Sequence, residues 1–326
     1  MAGAETARAL WTVAPGRAEI RPETLGPLAP NMVRVRALHG ALSRGTEALI
    51  LAGRVPESEY ERMRAPFMGG AFPFPVKYGY ATVGRVEAGP AELVGRAVFT
   101  LFPHQTVFDV PAAAAMPLPD KVPPARAVLA ANMETALNAL WDAAPGPSGR
   151  IAVVGAGVVG ALIGFLCGRI AGADVTLVDV NPSRAEIARA FDVNFARPDA
   201  ALRDCSFVFH TSASAAGLST ALHLADDEAT VLELSWYGAS EVAVPLGGAF
   251  HSRRLKLISS QVGKVAPSRR AHVTHRQRLA AAIELLADPR LDALLAPPVK
   301  FDDLPAQLPK ILAPGSGVLC QRIDYS

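Results

Sequence analysis

Gly155-Ala156-Gly157-Val158-Val159-Gly160 follows the apolar run Ile151–Val154, and Asp179 closes a second apolar run, Val175–Val178, 19 residues beyond Gly160. Strand, glycine turn, helix, strand and acid in that order form the arrangement that holds a dinucleotide. Gly155 permits the tight turn out of the strand, and Gly157 lets a diphosphate approach the backbone. Gly160 lets the following helix lie close on the strand. The freed N–H groups where that helix starts, at Val158 and Val159, act with the helix dipole to attract the anion. A carboxylate at Asp179, with Val180 beside it, accepts hydrogen bonds from both ribose hydroxyls and repels a 2′-phosphate. The expected cofactor is therefore NAD, with NADP less favoured. His210 and Thr211 end the run Phe207–Thr211, at the sheet edge that faces the cofactor in doubly wound folds. Both are expected to touch ribose or adenine.

Two plainer readings compete. Glycine turns are common in any fold. Residues Ile151–Gly168 are also 18 uncharged positions between Arg150 and Arg169, the lower limit for a membrane span. The spacing of all three glycines, and the second strand within a few residues, favour the dinucleotide.

The elements around this turn follow from composition and pattern. A chain of 326 residues, 50% hydrophobic and 19% charged, suits a globular protein of about two domains. A net charge of +2 makes no electrostatic case for nucleic acid. The basic stretch Arg269, Arg270, His272, His275, Arg276 and Arg278 reads as a solvated helix face. Cys167, Cys205 and Cys320 are scattered and odd in number, which favours buried thiols in a reducing cytoplasm. No signal peptide is expected from Glu5, Arg8 and their neighbours.

Residues 1–125 read as β-rich, with strands at Val33–Ala37, Ala81–Glu87, Ala97–Leu101 and Val107–Val110, and a long proline-bearing loop over Arg54–Tyr80. Pro124–Ala143 reads as one helix. From Arg150 the pattern alternates between short apolar runs and helices, up to Leu255–Ser260, which predicts a doubly wound parallel sheet. Gln277–Ala287 and Leu304–Leu312 read as helices and Val318–Asp324 as a strand. The tail is too short to fold alone, so it is expected to rejoin the N-terminal domain. The expected fold is α/β, a Rossmann doubly wound parallel sheet at 126–261 inserted in a discontinuous β-rich domain of 1–125 plus 262–326.

This organisation resembles the medium-chain dehydrogenase/reductase superfamily over essentially the whole chain. Ser43-Arg44-Gly45-Thr46-Glu47 resembles its C-G-T-D segment, and Lys77-Tyr78-Gly79-Tyr80-Ala81-Thr82-Val83-Gly84 resembles its G-H-E-x-x-G segment. Together the two are most similar to the bacteriochlorophyllide hydroxyethyl dehydrogenase-like branch. The resemblance implies a GroES-like N-terminal domain, a homodimer and a small alcohol or carbonyl substrate. It also places Trp236 and Tyr237, in Ser235-Trp-Tyr-Gly238, beside a nicotinamide. There they either wall a flat substrate or cap the core.

The departures from the family bear on the chemistry. Arg44 stands where a zinc-ligating cysteine is usual, Tyr80 where a histidine is, and Ala81 where its acidic neighbour is. Near the third ligand position the chain reads Ala130-Ala-Asn-Met-Glu134, without cysteine. Catalytic zinc takes three protein ligands, so no zinc is expected. The candidates for the missing electrophile and proton source are Arg44, Thr46, Tyr80, Glu47, Glu134 and His104. Arg44 is a permanent cation, able also to pair with Glu47 or Glu134. Tyr80 offers a phenol whose pKa a neighbouring cation would lower. Thr46 matches the hydroxyl that relays protons in zinc-dependent relatives. The leading expectation is a zinc-independent NAD(H)-dependent oxidoreductase acting on an alcohol/carbonyl pair. Reduction of a quinone or an enone is the alternative within the fold, and a non-catalytic NAD(P)-binding sensor or scaffold the alternative outside it.

Overall fold

A computed structural model of the chain describes residues 5–326. Two compact units are present. The first takes the residues up to Ala131 with Ile283–Leu291 and Leu295–Ser326; the second takes Asn132–Ala282 and Asp292–Leu294.

The first unit opens with a hairpin of β1 (Glu5–Ala14) and β2 (Arg17–Leu25), turning at Gly16 with φ +71°. The sequence reading did not include it. The successive buried residues Ala9 and Leu10 break strand alternation in β1, and β2 carries Pro22 among Arg17, Glu19, Arg21 and Glu23. β3 (Met32–Leu42) alternates cleanly: Val33, Val35 and Ala37 are buried, whereas Arg34 and Arg36 pair with Asp109 and Glu87 on the other face. α1 (Arg44–Leu51) follows, then a long loop with one short ladder, Gly69–Gly70 on Val76–Lys77. β4 (Thr82–Ala88), β5 (Ala97–Thr100) and β6 (Val107–Pro111) complete this stretch, and β4 and β6 both pair antiparallel to β3. The helix expected over 124–143 is two helices, α2 (Pro124–Ala127) and α3 (Ala130–Ala143). A Leu129 N–H to Arg126 O bond tightens the chain between them into an i→i−3 turn.

In the second unit, β7 (Arg150–Val154) leads through α4 (Val158–Cys167) to β8 (Asp174–Val178), α5 (Arg184–Phe191) and β9 (Asn194–Ala196). β10 (Cys205–His210), α6 (Ala215–Leu224), β11 (Ala225–Glu233) and β12 (Lys256–Ser259) follow. The strands form one parallel sheet in the order β9-β8-β7-β10-β11-β12. Ile151, Ala152, Val153 and Val154 are all buried, as a strand covered on both faces must be. α4 is apolar all round and ten residues long, and no helix among the described residues is long and apolar enough to cross a membrane.

Segment 262–282 belongs to this second unit, not to the first as the sequence suggested. Arg278, on α7 (His275–Leu285), gives the reason. Its guanidinium is buried and donates to Glu134 Oε1 at 3.0 Å, Asn138 Oδ1 at 2.5 Å, Lys264 O at 3.1 Å and Val262 O at 2.5 Å. The basic stretch is thus a solvated surface at Arg269, Arg270, His272, His275 and Arg276 only.

The tail returns to the first unit as β13 (Leu295–Lys300), α8 (Leu304–Leu312) and β14 (Cys320–Asp324). β14 pairs antiparallel with β3, and β13 lies parallel to β14. α8 contributes Leu304, Leu308, Ile311 and Leu312 to a core shared with Leu10, Leu42 and Leu51.

Candidate functional site

The glycine turn closes as its sequence requires. Gly155 has φ +102°, in the region that favours glycine. A Cβ on Gly160 would lie 1.9 Å from Gly155 O, so the first turn of α4 approaches the backbone of the turn directly. A Cβ on Gly157 would point into open space, and no side chain caps α4. The first-turn N–H groups at Val158 and Val159 are thereby left to an anion that approaches over Gly157. Asp179 Oδ2 accepts from the Ala156 N–H at 2.7 Å and Oδ1 from the Asn181 N–H at 2.8 Å. Each carboxylate oxygen retains a further lone pair for a ribose hydroxyl. Val180 is exposed beside it. These features fit a dinucleotide.

Thr211 and His210 are engaged by protein groups. Thr211 donates its hydroxyl to Gly155 O at 2.6 Å and so braces the turn. His210 is fully buried, and both ring nitrogens face protein groups, Glu233 and Ser212, not solvent. Trp236 and Tyr237 are half-buried, and the Tyr237 hydroxyl donates to Glu233 Oε2 at 3.1 Å. Burial, followed by the Glu233 charge, pushes the Tyr237 phenol well above its ordinary value.

In the first unit four of the six catalytic candidates come together around a residue that sequence reading missed, Ser43. The Tyr80 hydroxyl donates to Ser43 Oγ at 2.5 Å and lies 3.2 Å from Thr46 Oγ1. Ser43 N–H donates to Glu47 Oε1 at 2.7 Å, and Glu47 Oε2 lies 3.0 Å from His104 Nε2. The signal for Ser43 was its place at the start of the Ser-Arg-Gly-Thr-Glu motif, just before α1. His104 is buried, and its Nδ1 has no hydrogen-bond partner among the described residues. A cavity of about 10 Å³, the size of one water, adjoins Glu47, His104, Thr12 and Tyr78.

Tyr80 does not behave as expected from a cation beside it. Burial raises its pKa, its hydrogen bonds with Ser43 and Thr46 oppose that, and the Glu47 charge adds to the rise. The phenol therefore stays protonated and is a donor.

Arg44 and Glu134 have other partners. Arg44 donates to Ile311 O at 3.1 Å, Val318 O at 2.6 Å and Ala313 O at 3.1 Å, clasping the C-terminal end of α8. Glu134 is buried in the second unit against Arg278. The residues present do not suit a catalytic zinc. Glu47 and His104 are a pair of donors already bonded to each other, and no group of three or more His, Cys, Asp or Glu among the described residues is arranged to hold a metal.

No protein-family model matches the chain. No curated protein matches it by sequence. Solved structures do match. L-idonate 5-dehydrogenase from Escherichia coli superposes with a TM-score of 0.80 at 13% identity, covering 99% of each chain. An alcohol dehydrogenase from E. coli solved with NADH gives 0.77 at 14% identity, over 99% of this chain and 100% of that one. A protein from Bacillus thuringiensis assigned as an NADPH:quinone reductase gives 0.76 at 15%, over 99% and 100%. The chain has the fold of the medium-chain dehydrogenases and reductases, a Rossmann sheet inserted in a GroES-like β domain.

Proposed function

We propose that this chain is a zinc-independent, NAD(H)-dependent oxidoreductase that moves hydride between nicotinamide and an alcohol/carbonyl pair. The observation that carries this is Asp179, set at the end of β8 beside an uncapped helix start, with lone pairs free for a ribose. The bound dinucleotide supplies or accepts the hydride. Tyr80 holds its proton and donates a hydrogen bond to the substrate oxygen as negative charge develops there. Ser43 and Thr46 turn their hydroxyls to follow. In the oxidative direction the alcohol proton passes through the same hydroxyls to the Glu47 carboxylate, and in the reductive direction it returns by that route to the substrate oxygen. The fold shared with L-idonate and alcohol dehydrogenases supports this reading.

A second reading, reduction of an enone or quinone, is favoured by one observation: the Tyr80 cluster consists of neutral hydroxyls next to the carboxylate of Glu47. An enolate oxygen carries more delocalised charge than an alkoxide, so neutral donors without a cation beside them suit it. We also read the protein as a cytoplasmic homodimer. Three buried unpaired thiols and the exposed Ile258 on the edge strand β12 support this, and sedimentation tests the dimer.

Calorimetric titration with NADH and NADPH tests the cofactor; tighter NADPH binding refutes the Asp179 argument. Elemental analysis of the purified protein tests the metal, and one equivalent of bound zinc refutes that part. A panel of alcohols, aldehydes, enones and quinones followed at the NADH absorbance separates the two reactions. No turnover on any of them points to a sensor.

A further inference from the structure

At the carboxyl edge of the parallel sheet, polar side chains of the second unit form one continuous hydrogen-bonded chain. His210 Nδ1 lies 2.7 Å from Glu233 Oε2, and His210 Nε2 lies 2.7 Å from Ser212 Oγ. Ser212 Oγ is 3.0 Å from Ser214 Oγ, which accepts the Gly217 N–H. At the other end Glu233 also accepts from Tyr237 and from the Ser235 N–H.

The protons in this chain have a determined direction. Burial opposes ionisation of Glu233, but hydrogen bonds from His210 and Ser235 outweigh it and hold the carboxyl below its ordinary range. A carboxylate only accepts, so the imidazole proton sits on His210 Nδ1. With Nδ1 as the ring's donor toward Glu233, Nε2 is the acceptor that faces Ser212, and Ser212 donates its one proton to it. Ser212 is left with lone pairs alone, one of which can take the Ser214 hydroxyl.

The order serine, histidine, glutamate is that of a hydrolytic triad. His210 is fully enclosed, however, and a Cβ on Gly217 would lie 2.0 Å from Ser212 Oγ and 2.8 Å from His210 Nε2. A ring so covered has no path to hand a proton to a leaving group. What the chain does provide is a serine oxygen of fixed polarity. Ser212 stands against the cofactor turn, since a Cβ on Gly155 would lie 2.7 Å from its backbone N. It follows β10, on the opposite side of β7 from β8 and Asp179. An acceptor in that place repels phosphate oxygens and takes a hydroxyl.

We propose that Ser212, held as an acceptor by His210 and Glu233, binds a ligand hydroxyl at the glycine turn. This rests on the dinucleotide reading. The chemistry is that of a ribose or polyol hydroxyl, which can come from the second ribose of the dinucleotide or from a polyol substrate. His210 and Glu233 are positioning residues in this scheme.

The test is calorimetry with ADP, ADP-ribose, NADH and sorbitol on the wild-type chain and on Ser212→Ala, together with the ¹⁵N spectrum of His210 in the wild type. If the second ribose is bound, Ser212→Ala weakens ADP-ribose and NADH about tenfold and leaves ADP unchanged, one hydrogen bond's worth. If a substrate polyol is bound, the nucleotides are unchanged and sorbitol binding at saturating NADH is lost. The spectrum shows a protonated Nδ1 and a bare Nε2. An equal loss for ADP and ADP-ribose, no change for any ligand, or a protonated Nε2 overturns the proposal. A wild-type chain that binds none of the nucleotides removes the dinucleotide reading and this proposal with it. The tautomer is read without any ligand, so a failure of polarity stays distinguishable from a failure of cofactor binding.

Discussion

Glu134 and Arg278 offer the sharpest test of how the second unit is held together. Both are buried, at 5% and 1% exposure, and their nearest atoms are 3.0 Å apart. Removing the carboxylate by Glu134→Ala leaves the guanidinium with Asn138, Lys264 O and Val262 O but no counter-charge. Breaking one partner of such a pair costs about 3–5 kcal/mol. Glu134→Gln keeps the shape and one acceptor, so its cost falls to about 1–2 kcal/mol. The double variant Glu134→Leu/Arg278→Met removes both charges, and its stability returns to within about 1 kcal/mol of the parent. Burial raises the Glu134 carboxyl above its ordinary range and Arg278 only partly opposes this. Ionising this carboxyl therefore costs the fold more than it costs the unfolded chain, and stability falls as pH rises from the ordinary carboxylate range through the folded value. Glu134→Gln therefore flattens that part of the stability profile. Urea unfolding followed by circular dichroism at several pH values measures all of this. If Glu134→Ala costs less than about 1 kcal/mol, or the double variant is no better than it, the charge argument is wrong.

Other outcomes follow from the site. Tyr80→Phe lowers kcat for the best substrate of the panel by about 10²–10³ while leaving NADH affinity unchanged, because the phenol serves the substrate and not the cofactor. Since burial and Glu47 raise the Tyr80 phenol above its ordinary value, any alkaline limb of wild-type activity from its ionisation lies above that of a free phenol, as steady-state profiles check. Gly160→Ala drives a methyl into Gly155 O and costs about 1–3 kcal/mol with a matching loss of NADH binding, read by thermal unfolding and calorimetry. Asp179→Ala weakens NADH by about tenfold or more and narrows its preference over NADPH, measured by paired titrations.

The dinucleotide turn was legible because its physics is local. Three glycines and an acid at fixed spacing determine one backbone path, and β7 and α4 carry it out. The alternation in β3 and in the parallel strands was legible for the same reason. What sequence did not show depends on partners far along the chain. Arg44 is a cation in a motif, and nothing near it reveals that its ligands are carbonyls at 311, 313 and 318. Arg278 lies among exposed basic residues, and its burial is decided by Glu134 and Asn138, more than a hundred positions earlier. The rise in the Tyr80 pKa likewise comes from burial and Glu47 in three dimensions. β1 escaped because Ala9 and Leu10 are buried in succession, and β2 because a charged, proline-bearing strand carries no apolar period.

The clasp of Arg44 on α8 also constrains the routes by which this fold can change. Arg44 holds the chain's own tail, so a metal ligand at this position would have to give up that hold. Arg44→Cys adds a thiol but frees three carbonyls of the tail, those of Ile311, Ala313 and Val318. Building a metal site here would need several coordinated substitutions, of which the one at Arg44 loses stability. The chemistry of the site is in that sense locked in by the architecture of the tail, and directed evolution from this chain should diversify around the hydroxyl cluster and leave Arg44 unchanged.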